Sequence, residues 1–215
     1  MVASADLDLL RNWLPAQSWY VRTGAVPPEP SRAGGFRLDD PDGEVGIEFM
    51  IVLDQAAGDA AAYLVPMTYR GSPLAGARDA LIGTAEHGVL GTRWIYDGAR
   101  DPVLLAQLAE LIQGRAEAQA QSQSDTPDPA VRSRPVPGVA DALGARLDVA
   151  IVRALVPADA TLGADLGPDG AGHVSAAWTA ADGSGVRGVV ATATVPAGRV
   201  SVPRSEPAAG TAEQP

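Results

Sequence analysis

Apolar residues at helical spacing predict a first helix over residues 4–14. Leu7, Leu10 and Leu14 follow one another at intervals of three and four. This spacing places the three side chains on one face of a helix. Pro15 directly after them is expected to end the helix.

A second helix is predicted over residues 101–114. Asp101 is a typical N-cap residue, and Pro102 suits the first helical position, where no backbone N–H is needed. Gly114 is placed to end the helix. The apolar positions between them recur at helical spacing: Leu104, Leu105, Leu108, Leu111 and Ile112.

Strand patterns occupy much of the remaining chain. Residues 45–53 begin with alternating apolar and polar positions and become continuously apolar, which is typical of a largely buried strand. Further strands are predicted at 62–69, 92–96, 146–156, 173–179 and 187–195. Strands joined by short turns pair antiparallel, and helices and strands do not alternate. The pattern therefore predicts an α+β fold with helices packed on one face of an antiparallel sheet.

Changes in composition divide the chain into four segments. Residues 1–114 hold both predicted helices, and residues 145–202 add antiparallel strands that we expect to join the same sheet. Between them, residues 115–144 are polar and then rich in proline, so a flexible linker is predicted. Residues 203–215 are predicted to be a disordered tail. Within the first segment, the glycine and proline of residues 22–35 predict a loop.

Composition excludes several kinds of chemistry. The 215 residues contain no Cys, and all 16 basic residues are Arg. A disulfide framework, a thiolate metal site, a P-loop lysine and a Schiff-base lysine are therefore excluded for this sequence. The formal net charge of -10 argues against a nucleic-acid partner or an anionic membrane partner. No apolar run approaches the length of a membrane span and the N-terminus lacks a signal-peptide pattern, so we expect a cytoplasmic location.

Residues 83–97 hold the densest group of chemically active side chains: Glu86, His87, Arg93, Trp94 and Tyr96. Glu86 and His87 are candidates for an acid/base pair, with Arg93 as an anion clamp. Neighbours on a strand point to opposite faces, however, so the pair can converge only if the segment is a loop. The alternative interpretation is a glycine-rich turn whose polar side chains satisfy loop carbonyls.

A second candidate surface lies at residues 13–20, where Trp13, Trp19 and Tyr20 flank the predicted end of the first helix. These residues either anchor the helix on the sheet or form an exposed aromatic surface that docks a partner or stacks on a sugar. No metal site is predicted, because the two His residues share no ligand spacing with other donors. No catalytic residue and no cofactor are assigned.

Four stretches together resemble the N-terminal cap domain of maltokinase. They are W-L-P-A-Q-S-W-Y at 13–20, F-R-L-D-D-P-D-G-E-V-G-I-E at 36–48, V-P-M-T-Y-R-G-S-P-L at 65–74 and G-T-R-W-I-Y-D at 91–97. The resemblance covers about residues 5–113 and implies a curved, cystatin-like antiparallel sheet. The use of Arg without Lys and the loops rich in Ala, Gly and Pro resemble those of a high-GC actinobacterial protein. In that family the cap precedes a domain that phosphorylates maltose or a related sugar with ATP and magnesium, in metabolism that links trehalose to α-glucan.

The kinase signatures themselves are absent from this sequence. There is no catalytic-loop His-x-Asp, no Asp-Phe-Gly and no Lys to hold ATP. The resemblance therefore implies a non-catalytic, cap-like accessory protein that binds a sugar kinase or an α-glucan enzyme. Two alternatives remain open: a module that binds a sugar or sugar phosphate, and an unrecognised enzyme that uses Glu86 and His87.

Overall fold

The computed structural model describes residues 3–21, 26–56, 60–121, 126–139, 146–158 and 169–196, with side chains from residue 6 onward. Its α-helices are α1 (Ala3–Trp13) and α2 (Pro102–Ile112), so both predicted helices are confirmed. Its strands are β1 (Pro30–Leu38), β2 (Val45–Asp54), β3 (Ala61–Arg70), β4 (Leu81–His87), β5 (Gly91–Asp97), β6 (Gln119–Ala120), β7 (Val131–Arg134), β8 (Asp148–Ile151), β9 (Ala154–Leu155), β10 (Gly172–Thr179) and β11 (Gly185–Thr194). Short 3-10 helices cover Leu14–Ala16, Arg78–Ala80 and Gly98–Arg100.

The strands form one antiparallel sheet in the order β4-β5-β3-β2-β1-β10-β11-β8. Three short strands extend it locally, because β6 pairs with β1, β7 with β10 and β9 with β3. The long β2–β3 pair runs in register from Val45 opposite Arg70 to Asp54 opposite Ala61. Helices and an antiparallel sheet make this an α+β fold; the curved, cystatin-like form stays a prediction.

One face of the sheet packs against α2. Phe36 and Phe49 stack there with ring centroids 4.5 Å apart. They belong to a core that contains Leu104 and Leu108 of α2 and also Val174 and Val190 of the later strands. This face therefore joins the first and second halves of the chain in one apolar layer.

The opposite face packs against α1. Leu10 and Leu14 pack there on Met50 and Val52 of β2, together with Tyr63 of β3. The side chain of Leu9 fits over the open position of Gly83, where an added Cβ would lie 2.7 Å from a Leu9 methyl. Glycine at this position lets α1 approach β4 closely.

The prediction that the helices pack on one face of the sheet is wrong for these two helices. Phe49, Ile51 and Leu53 of β2 point toward α2, whereas Met50 and Val52 point toward α1. Alternate residues of a strand face opposite sides of a sheet. The two helices therefore cover opposite faces, and the continuous apolar run of β2 has a layer on each side.

The N-terminus of α2 is fixed by a buried carboxylate. Asp101 is fully buried, and its Oδ1 accepts a hydrogen bond from the backbone N–H of Val103 at 3.0 Å. Its other oxygen accepts from Thr68 Oγ1 at 2.8 Å and from Arg70 Nε at 2.7 Å. Burial alone would raise the pKa of Asp101, but the hydrogen bonds from Arg70, Thr68 and Val103 outweigh it and lower the pKa. The predicted N-cap thus also attaches α2 to β3.

The segment predicted as a linker, residues 115–144, departs from that expectation where it is described. Gln119 and Ala120 pair with β1, and β7 pairs with β10. Ala118 and Val136 are buried in the α2-side core. The polar composition did not predict these short strands. Backbone pairing with neighbouring strands and the burial of Ala118 and Val136 are enough to fix them. Residues 140–144 and the predicted tail at 203–215 lie outside the described residues.

The strands after residue 145 belong to the same sheet as the first half. One contact is made where Gly34 of β1 lies opposite Trp178 of β10, and the other where β9 pairs with β3. An added Cβ on Gly34 would lie 3.2 Å from the Trp178 Cβ, and one on Gly188 would lie 2.9 Å from its ring. Glycine at both positions makes room for a tryptophan that is 4% exposed.

Candidate functional site

The β4–β5 hairpin holds most of the side chains singled out in residues 83–97. Its strands pair from Leu81 opposite Tyr96 to His87 opposite Gly91. Gly91 has a φ of 70°, in the left-handed region that glycine tolerates best, and it allows the chain to reverse. The segment is therefore a hairpin with strand geometry up to its tip. Convergence of Glu86 and His87 would instead require a loop at these positions.

Glu86 and His87 do not converge within this hairpin. The carboxylate of Glu86 accepts a hydrogen bond from Thr92 Oγ1 across the strand pair at 2.7 Å. His87 Nδ1 lies 3.4 Å and 3.3 Å from the backbone N–H groups of Val89 and Leu90. Because adjacent residues of a strand point to opposite faces, the geometry does not favour an acid/base pair here.

The tip of the hairpin exposes apolar side chains. Val89 is 89% exposed and Leu90 is 58% exposed. β4 is also the last strand on its side of the sheet among the described residues. This end of the molecule therefore presents hydrocarbon to solvent on a short projection backed by the sheet.

Arg93, Trp94 and Tyr96 divide between the two faces of the sheet. Arg93 lies on the same face as Ile95, which packs in the α1-side core. Trp94 and Tyr96 face the α2 side. Trp94 is half-buried, and the Tyr96 hydroxyl accepts a hydrogen bond from the backbone N–H of Leu74 at 2.9 Å.

A groove of about 620 Å³ crosses the sheet on the α1 side. The turn between β1 and β2 forms one wall, and His87 and Leu90 of the hairpin form the other. Its floor includes Glu48, Tyr69 and Arg93. The groove thus combines two residues that the sequence singled out, His87 and Arg93, with side chains from β2 and β3 that it did not.

Two acids meet through one tyrosine hydroxyl below this groove. Tyr69 Oη lies 2.9 Å from Glu48 Oε2 and 3.2 Å from Asp6 Oδ2. Arg32 and Gln121 each donate to Glu48 Oε1 at 2.8 Å. Glu48 therefore has an ion-pair partner, Arg32, and accepts hydrogen bonds from three side chains.

Asp6 is the less well compensated of the two acids. It is 2% exposed, and its Oδ1 is buried without a hydrogen-bond partner among the described residues. Burial, and secondarily the negative charge of Glu48, raise the pKa of Asp6 to about 6. Burial likewise raises the pKa of Tyr69, with smaller contributions from Glu48 and Asp6. The tyrosine therefore stays protonated and links the two carboxyl groups.

The aromatic residues at 13–20 lie at the other end of α1. Trp13 and Trp19 have ring centroids 5.7 Å apart, and Trp19 and Tyr63 have centroids 5.9 Å apart. Tyr20 is 8% exposed, and its hydroxyl hydrogen-bonds to Asp54 Oδ2 at 2.5 Å. Trp13 and Trp19 are half-buried against the α1-side core. Each of the three thus contributes to packing, and their partner or sugar contacts stay a prediction.

The sequence of residues 13–101 matches the family model of the maltokinase N-terminal cap domain. The resemblance is confirmed over this range. The matched cap domain begins at the last residue of α1, includes β1 to β5 and ends at Asp101, the N-cap of α2. It contains all eight residues singled out above. No curated protein matches the chain.

Some residues that build the site lie outside the cap-domain match. Asp6 and Gln121 contact Tyr69 and Glu48 from either side of it. Arg153, from beyond the match, lies over the ring of Trp19 at 5.0 Å from its centroid, and its Nη2 bonds both carboxylate oxygens of Asp97. The cap domain is therefore completed by segments before and after it.

The described residues show neither a metal centre nor a membrane span. No group of three or more His, Cys, Asp or Glu side chains suited to a metal ion occurs among them. None of the described helices is long and apolar enough to cross a membrane.

Proposed function

We propose that this protein is a non-catalytic accessory protein that docks on a sugar kinase or an α-glucan enzyme. The observation that carries the proposal is the exposed pair Val89 and Leu90 at the tip of the β4–β5 hairpin, inside the cap-domain match. The tip is the contact surface in this proposal. The protein acts by binding, and the chemistry is that of its partner.

The physical argument concerns what an exposed apolar tip does. Each apolar side chain removed from water contributes about 1.5–3 kcal/mol when it is fully buried. Val89 and Leu90 are largely exposed in the free protein, so most of this stabilisation becomes available only when a partner buries them. A projection of two adjacent apolar residues, held on a paired hairpin, loses little conformational freedom on binding. It is therefore suited to insert into an apolar recess of a partner.

The partner class follows from the family. The matched domain is named as the N-terminal cap of maltokinase, and the resemblance implies a setting in trehalose, maltose and α-glucan metabolism. The chain itself has no Lys and none of the kinase signature motifs. A domain named as the cap of a sugar kinase is suited to an accessory role on an enzyme of that kind.

A capture experiment with matched charge variants tests the proposal. The tagged full chain, its Val89→Asp variant and its Val21→Asp variant are incubated with extract of the source cells, and captured proteins are identified by mass spectrometry. Val21 is 61% exposed but lies far from the hairpin in sequence and at the opposite end of α1. We expect a sugar kinase or an α-glucan enzyme with the wild type and with Val21→Asp, and loss of at least about tenfold with Val89→Asp, because a buried charge costs more than 1.4 kcal/mol.

Two results would contradict the proposal. One is equal recovery of the same enzyme by Val89→Asp, which places the contact elsewhere. The other is recovery of no sugar kinase or α-glucan enzyme by the wild type. Thermal unfolding of both variants checks that each keeps its fold.

A further inference from the structure

The groove on the α1 side contains two arginines, Arg37 and Arg93, that form no ion pair among the described residues. Arg37 is half-buried, and its Nε is shielded from solvent without a hydrogen-bond acceptor. Arg93, on the far side of the groove floor, likewise has no ion pair or hydrogen bond within the described residues. A guanidinium group presents five N–H donors and pairs well with phosphate or carboxylate oxygens. Both arginines are therefore open to an anionic ligand.

Two of the four acids that line the groove, Glu48 and Asp40, accept hydrogen bonds from other groups. Glu48 accepts from Arg32, Gln121 and Tyr69. Asp40 accepts from the backbone N–H groups of the β1–β2 turn. Neither acid forms an ion pair with Arg37 or Arg93, although all four line the same groove.

The volume of the groove and its other lining residues indicate what else the ligand contains besides an anionic group. A volume of about 620 Å³ exceeds what a bare ion needs and falls within the usual range for small organic ligands. Arg37 on β1 and Arg93 on β5 are three strand spacings apart across the sheet, about 14 Å, and they are also offset along the strands. A ligand of the size of a sugar phosphate therefore reaches both arginines only through their long side chains. Asp39 and Glu44 are exposed on the turn that forms the near wall. Free carboxylates of this kind accept hydrogen bonds from hydroxyl groups.

We propose that this groove binds a sugar phosphate, with the phosphate on Arg93 at the hairpin side and the sugar hydroxyls toward Arg37 and the carboxylates of the β1–β2 turn. The groove shares Leu90 with the docking surface, but its two arginines and the carboxylates of the β1–β2 turn lie outside the pair Val89 and Leu90. The proposal adds a small-molecule ligand to a protein whose proposed action is binding to an enzyme.

Isothermal titration of the full chain at pH 7.5 and low salt tests the site. The probes are glucose 6-phosphate, inorganic phosphate, glucose and glucuronate. We expect glucose 6-phosphate to bind, with the other three weaker by at least about tenfold, because each lacks the phosphate, the hydroxylated body or the second negative charge. Arg93→Gln and Arg37→Gln each weaken glucose 6-phosphate binding by at least about tenfold.

Arg100→Gln is the matched control, since Arg100 is exposed and lies outside the groove. It is expected to change the affinity by less than about twofold. Amide resonances of Gly43 and Gly46, which line the groove, should shift on titration, whereas that of Gly114 should not.

Several outcomes overturn the proposal. They are no binding of glucose 6-phosphate, equal affinity for inorganic phosphate, equal affinity for glucuronate, or a loss in Arg100→Gln as large as in Arg93→Gln. Equal affinity for phosphate points to an adventitious ion only, and equal affinity for glucuronate points to a carboxylate site. Capture of a sugar enzyme through Val89 is measured separately, so either proposal can fail without the other.

Discussion

At the scale of single residues, the carboxyl group of Asp6 connects the first turn of α1 to the groove floor. Its side chain reaches Glu48 only through the hydroxyl of Tyr69. The Tyr69 hydroxyl has one proton and can donate a full hydrogen bond to only one carboxylate. The arrangement is therefore more stable when one of the two acids is protonated. Arg32 lies on Glu48, which leaves Asp6 as the acid that binds the proton.

The pKa of Asp6 makes stability depend on pH in a defined direction. The group titrates near 3.8 in the unfolded chain and near 6 in the folded one. Between these values the folded state binds more protons, so the free energy of unfolding falls as pH rises from about 4 to 6, by up to about 3 kcal/mol. Asp6→Asn should remove this contribution, and the difference between the two urea-unfolding curves measures it.

Asp8→Asn is the control for this prediction. Asp8 is on the same helix, but its side chain is 71% exposed. We expect the pH dependence of Asp8→Asn to match that of the wild type. Parallel pH curves for Asp6→Asn and the wild type would show that Asp6 does not carry the effect.

A second prediction concerns Asp101, which fixes the start of α2. Asp101→Asn keeps a side chain that can cap a helix but removes the negative charge that faces Arg70. Because Asp101 is fully buried and the Arg70 side chain is 18% exposed, we expect a loss of about 2–4 kcal/mol in the free energy of unfolding. Asp79→Asn, at an exposed position, should stay within about 0.5 kcal/mol of the wild type. A loss for Asp101→Asn as small as this would mean that the ion pair contributes nothing.

The sequence indicated part of the groove at this scale. His87 and Arg93 stood out because they lie close together in a segment with other polar and aromatic residues. Arg37, Glu48 and Tyr69 did not, because they come from three other strands and meet only through the order of the sheet. Glu48 carried a signal of its own, a charged residue between apolar neighbours in a buried strand.

At the scale of elements, the spacing of apolar residues and the capping residues predicted the helices and the long strands well. They did not predict which face of the sheet each helix covers. β2 and β3 differ from their predicted ranges by a residue at their ends. β1 was missed because Pro30, Gly34 and Gly35 interrupt its apolar pattern, although Phe36 and Leu38 are buried in the core. β4 was missed because its residues are largely exposed at the edge of the sheet. The unbroken apolar run of β2 was interpreted as a largely buried strand, but the prediction of helices on one face did not use it to place a layer on each side.

The short strand β9 is held to the first half by Arg153. The backbone oxygen of Arg153 accepts from Leu64 N–H at 2.8 Å, and its guanidinium group bonds Asp97 beside Trp19. Arg153→Met removes the charge but keeps most of the stem. Since both side chains of the pair are 12% exposed, we expect a loss of about 2–4 kcal/mol in the free energy of unfolding and faster hydrogen exchange at the Leu64 amide.

Arg146→Met provides the comparison for Arg153, because Arg146 is exposed and precedes β8. We expect it to leave both the stability and the exchange rate of Leu64 near the wild-type values. Unchanged exchange at Leu64 in Arg153→Met would show that β9 is held by its strand pairing alone.

At the scale of the whole molecule, the α2-side core determines how the chain unfolds. It contains Phe49 and Leu108 from the first half and Trp178 and Val190 from the second. A core shared in this way is lost as a unit, because removing either half exposes the apolar surface of the other. The two halves are therefore expected to unfold in one cooperative transition.

Substitution of Trp178 tests this expectation in full. Trp178→Ala should cost about 3–5 kcal/mol by opening a cavity between β1, β10 and β11. If unfolding is cooperative, the amides of Phe49 and Leu108 gain exchange rate by the same factor as that of Val190, although neither residue is near the substitution in sequence. Val195→Ala, at a position that is 42% exposed, should change none of the three rates by much. Acceleration confined to Val190 would mean that the second half opens by itself, and that the shared core does not couple it to the cap-domain strands.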